Sequence, residues 1–106
     1  MKKLILLSSL TYAMFANEVV AVDEANKFLT ALKNMDDKIV NTMVQNDKKS
    51  ILNSLDNHIL YFRDIKVSGI RQADEYGHYF VTLDNEEFNK LELKRDNNGK
   101  YKIIGL

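Results

Sequence analysis

From Val22 to Val44 the apolar residues fall at Ala25, Phe28/Leu29, Leu32, Met35, Ile39/Val40 and Met43/Val44. Steps of three and four keep them on one stripe, the spacing of an amphipathic helix, while Glu24, Lys27, Asn34, Asp37 and Lys38 fill the other faces. No Gly or Pro interrupts the run, so the pattern predicts one long helix bounded by Asp23 and Gln45-Asn46. Asp47 then offers an N-cap, and Ile51, Leu52 and Leu55 give a short second helix closed by Asp56-Asn57. His58 to Phe62 is too short a run to carry a period and reads equally as a last helical turn or a short strand.

Beyond Arg63 the period changes from helical to alternating. Residues 65–72 read as a first strand with a bulge or bend at Gly69, and residues 73–77 turn the chain. His78-Tyr79-Phe80-Val81-Thr82-Leu83 is a second strand, rich in aromatic and β-branched side chains. In residues 88–95, Leu91 and Leu93 share one face and Lys90, Glu92 and Lys94 the other. Asn98-Gly99 is a hairpin signal, since both residues accept positive φ, and residues 100–104 close the sheet. Short turns between successive strands imply an antiparallel meander. The expected architecture is α+β: a long N-terminal helix and a short helix packed on a curled four-stranded antiparallel sheet.

The segment ahead of the long helix reads as an address. Met1-Lys2-Lys3 is a basic start, and no charge follows until Glu18. A basic start and a short apolar run have the form of a secretory signal peptide, and the run is short of the ~20 residues a membrane span needs. Val19-Val20-Ala21 places small residues where signal peptidase requires them, so residues 1–21 are expected to be removed and residues 22–106 to form the domain. Cleavage after Ala16 is the rival, with Met14 in a position that favours a small side chain. No stable membrane span remains after cleavage. The chain carries 15 basic and 15 acidic residues and no Cys, so it lacks the cationic surplus of a nucleic-acid binder, and disulfides and cysteine-zinc sites are ruled out. An export product stabilised without disulfides fits a bacterial periplasm better than the disulfide-dense secreted domains of animals.

Two helices followed by a curled antiparallel sheet resemble the nuclear transport factor 2-like (NTF2-like), or cystatin-like, superfamily. The stretch that carries the resemblance is Leu91-Glu92-Leu93-Lys94-Arg95-Asp96-Asn97-Asn98-Gly99-Lys100-Tyr101-Lys102-Ile103-Ile104-Gly105-Leu106, which looks like the final hairpin of bacterial members. There the aromatic is often Trp; here it is Tyr101. The resemblance implies a cone-shaped sheet around an apolar interior. It spans isomerases, dehydratases, immunity proteins and non-catalytic accessory domains, including the N-terminal domain of some transpeptidases, so it fixes no activity.

Within such a cone the ligand-pocket candidates are Phe28, Leu32, Tyr61, Tyr79 and Tyr101. An enzyme of this type would pair a Tyr with a carboxylate, and Asp84 and Glu92 are the carboxylates weighed for it. Alternation puts Glu92 on the face opposite Leu91 and Leu93, and Asp84 lies in a turn, where Asp is favoured for backbone reasons. His58 and His78 lack a ligand set around them, so no metal and no cofactor is expected. Neither Ser-x-x-Lys nor Lys-Thr-Gly occurs, which excludes the transpeptidase catalyst itself. Ile65-Lys66-Val67-Ser68-Gly69 lacks the Gln of the cystatin inhibitory motif that the resemblance brings to mind. The charges Lys90, Glu92, Lys94 and Arg95 are of mixed sign and read as a solvated face. The expectation is an exported, non-catalytic binding domain for a small apolar ligand or an envelope protein, with the open sheet face available to a second copy. The alternative is a small isomerase- or hydrolase-type enzyme.

Overall fold

The computed structural model describes residues 2–55, 64–74 and 77–106, with side chains from Asn17 onward except that of Ser54. Three helices pack on a four-stranded antiparallel sheet, giving an α+β fold. Helix α1 spans Lys2–Lys33, α2 spans Asp37–Met43, and a 3-10 helix follows over Asn46–Ser54. Strands β1 (Val67–Asp74), β2 (His78–Leu83), β3 (Lys90–Arg95) and β4 (Tyr101–Gly105) pair in sequence order.

The single long helix expected over residues 22–44 is two helices. Met35 takes a left-handed φ of 56°. The Asp36 N–H donates to the Ala31 carbonyl at 2.8 Å and the Met35 N–H to the Leu32 carbonyl at 3.1 Å. These two bonds form a Schellman motif, which satisfies carbonyls the end of α1 would otherwise leave open. Asp36 then starts the next helix, its Oδ1 accepting from the Ile39 N–H at 3.3 Å. The apolar stripe breaks accordingly: Met35 and Ile39, counted on it by spacing, are 53% and 46% exposed. Met35 occupies a site where glycine is usual, because a Cβ in the left-handed region costs about 1–2 kcal/mol. Met35→Gly is therefore expected to stabilise the protein by about 0.5–1 kcal/mol, after the entropy glycine adds to the unfolded chain is set against that strain. In a continuous helix the same change would destabilise by about 1 kcal/mol, so the sign of the shift in unfolding midpoint decides between the two.

The sheet follows the predicted strands closely. The expected irregularity at Gly69 is present as a register shift between Val67 and Gly69, where a Cβ on Gly69 would meet Thr82 Oγ1 at 2.9 Å. The last hairpin differs in its turn. Only Gly99 has positive φ there, and Asp96 Oδ1 accepts from the Asn98 and Lys100 amides, both at 2.9 Å. The aspartate side chain, not a left-handed Asn98, organises the loop. The short second helix is of the tighter 3-10 type and starts after Gln45, not at Asp47; Ile51, Leu52 and Leu55 are half-buried against the core. His58 to Phe62 lies outside the described residues.

The core forms where α1 lies across the sheet. Ala21, Ala25, Phe28 and Leu32 present one face of α1 to Tyr79, Val81, Leu91, Leu93, Tyr101 and Ile103. Spacings of four, three and four place those helical residues on one side, and period-two alternation does the same for the strands. After α2, the chain rejoins the sheet through a parallel bridge between Val44 and Ile103, reinforced by the Gln45 N–H donating to the Ile103 carbonyl at 3.0 Å.

Candidate functional site

Four of the five residues expected to line an internal pocket come together in the core. Phe28 and Leu32 descend from α1 onto the concave side of the sheet, where Tyr79 of β2 and Tyr101 of β4 meet them. Each is at most 5% exposed, so these side chains are shut off from solvent. Tyr79 and Tyr101 tilt against each other with ring centroids 5.9 Å apart. Leu32 borders a shallow 210 Å³ recess beside Asp64, Ile65 and Lys66, and Tyr101 borders a 390 Å³ recess beside Val20 and Gly99. Tyr61 lies outside the described residues.

The carboxylates weighed as partners for these tyrosines sit elsewhere. Asp84 Oδ1 accepts from the Lys66 N–H at 2.6 Å and its own N–H donates to the Lys66 carbonyl at 3.0 Å, clipping the start of β1 to the end of β2. Glu92 lies on the outer face, as alternation requires. All the buried side chains among the described residues belong to apolar or tyrosine residues.

The Tyr101 hydroxyl is the exception within that interior. No group stands in hydrogen-bond geometry to Tyr101 Oη among the described residues, although the Tyr79 hydroxyl is near enough to act on it. Burial above all, and then Tyr79, push its pKa upward from about 10, against a smaller downward pull from Arg95. A group whose folded pKa is raised contributes stability that is complete below its unfolded value and is lost as pH rises. Stability is thus expected to fall above about pH 10, as the unfolded chain ionises Tyr101 first. Tyr101→Phe should flatten part of that fall. At neutral pH it should raise stability by about 1 kcal/mol, because it removes a buried hydroxyl that no group meets in good hydrogen-bond geometry among the described residues. Urea titrations at pH 7 and pH 10.5 read both effects, and a destabilised Phe variant at pH 7 would show that the hydroxyl has a partner.

On the outer face a second arrangement was not anticipated. His78 at the start of β2 is held from both sides: Nδ1 lies 3.0 Å from Asp74 Oδ2 and Nε2 lies 2.5 Å from Glu92 Oε2. Three strands converge to make it, since Asp74 pairs across from His78 while Glu92 stands diagonal to it on β3. Phe80 continues the row, its ring 5.5 Å from the imidazole and flanked by Arg71 at 4.8 Å and Lys90 at 5.1 Å. None of the described cavities is lined by His78, and no group of His, Asp and Glu among the described residues is arranged to hold a metal ion. The arrangement therefore works as a clamp across three strands. The only signal for it in the sequence is the strand register, which alternation alone leaves open.

No protein-family model, curated protein or solved structure matches this chain. Among the described residues no helix is long and apolar enough to cross a membrane.

Proposed function

We propose that the chain is an exported, non-catalytic binding domain of the NTF2-like type, released into the periplasm by removal of residues 1–21, and that its ligand is an envelope protein. The observation that carries this reading is the burial of Phe28, Leu32, Tyr79 and Tyr101 among apolar core residues, with no carboxylate among the buried side chains of the described residues. A Tyr-carboxylate enzyme needs an acid or base beside its tyrosine, whereas Asp84 and Glu92 are engaged with Lys66 and His78 outside that interior. Recognition then falls to the surface, where an ordered outer sheet face is also available to a second copy of the chain.

Native mass spectrometry of the protein purified from a bacterial periplasm tests the reading in one measurement. The expected species begins at Val22 and carries no retained small molecule. A stoichiometric apolar adduct would replace the protein-partner reading with an internal ligand. An intact Met1 on material in the cytoplasm would remove the export step.

A further inference from the structure

We infer that the outer face of the sheet binds a second copy of this chain, with the strands of the two sheets aligned and the two-fold axis along β2. On that face three rows cross the first three strands: Asp74, His78 and Lys94; Arg71, Phe80 and Glu92; Gly69, Thr82 and Lys90. In the first two rows β1 and β3 carry opposite charges on either side of β2. A two-fold rotation about β2 lays β1 of one copy over β3 of the other. Asp74 then faces Lys94 of the second copy, Arg71 faces its Glu92, and Phe80 meets Phe80 on the axis. In the third row Lys90 faces Gly69, which has no side chain to obstruct it.

The same pairings are not made within one chain. β2 keeps β1 and β3 about 10 Å apart, and among the described residues Arg71, Lys90 and Lys94 form no ion pair. Those three side chains are exposed and Phe80 is half-buried, so the face is open. Sheets that pack face to face keep their strands within about 30° of one another at a spacing of about 10 Å, which brings opposed side chains into reach. A partner of one charge sign would meet its like on part of this face. A second copy meets the opposite sign at Asp74, Lys94, Arg71 and Glu92 alike, the self-complementarity an isologous interface requires. The dimer needs neither export nor the envelope partner proposed above.

Sedimentation velocity of the full chain over a wide concentration range tests it, and a reversible dimer that weakens with salt is expected. Arg71→Glu sets a carboxylate against Glu92 twice, by symmetry, and should raise the dimer dissociation constant about 100-fold. Glu92→Lys should do the same from the other side. Mixed, the two variants should associate with each other, because every opposed pair again has opposite signs. Urea midpoints show whether Glu92→Lys, which loses the contact with His78, remains folded. A cross-link decides the register without any change of charge on the face. The chain has no Cys, so Thr82→Cys, on the axis, should be joined to its copy by a short bis-maleimide. Lys102→Cys on β4 lies four strand spacings from its copy, about 19 Å, and should not be joined. A monomer at every concentration, a dimer indifferent to Arg71→Glu, or linkage through Lys102→Cys and not Thr82→Cys would overturn the interface.

Discussion

Replacing Phe28 by Ala is expected to cost about 3–5 kcal/mol, because the ring is fully buried and the rigid contacts around it cannot close over the space it leaves. The side chain packs between α1 and the concave face of the sheet among the same residues that hold the two together. Domains of ordinary stability hold only about 5–15 kcal/mol in total, so the variant should be close to unfolding at 37 °C. In urea the midpoint should fall by about 2–3 M for a protein of this size. The number also discriminates between functions. A Phe28 lining an open ligand cavity would already lack contacts on one side, and its loss would cost about 1 kcal/mol and weaken ligand binding instead. A small effect on stability would therefore argue for an internal ligand site.

Replacing His78 by Ala is expected to cost about 1.5–2 kcal/mol. The substitution removes the imidazole's contacts with two carboxylates and leaves Asp74 and Glu92 near each other without the ring between them. The figure is kept at the low end for paired charges because the site is half-buried, with the His78 side chain 18% and the Asp74 side chain 40% exposed. A double-mutant cycle with Glu92→Gln isolates the contact, and a coupling of about 1 kcal/mol is expected. Additive effects would mean that the carboxylate and the imidazole stand side by side without holding β2 to β3.

The alternation of residues 78–83 and 90–95 was enough to separate an inner face from an outer one, and Tyr79, Val81, Leu91 and Leu93 lie inside as that rule requires. Phe28 and Leu32 were legible for the same reason, since both sit where helical spacing points to the core. Alternation says nothing about neighbours across strands, so the sequence shows no partners around His78. Its partners come from a register set by turns at either end of β2. The break at Met35 was hidden for a different reason. An apolar residue at the expected step satisfies a helical pattern, and neither Gly nor Pro marks the left-handed position; the bonds that stabilise it are made by the backbone. The apolar interior expected inside the sheet followed from the resemblance to a cone-shaped fold, and four of the side chains named for it, Phe28, Leu32, Tyr79 and Tyr101, lie in the core.

The bridge between Val44 and Ile103 has a consequence for the order in which the molecule assembles. Each hairpin of the meander is local and can close within microseconds, but α1 and α2 gain their full packing only once β4 is in place. The contact that joins them spans more than half of the sequence, so loop-closure entropy is paid late and the docking step sets the rate. Until residues 101–105 arrive, the helices have an incomplete sheet to pack on.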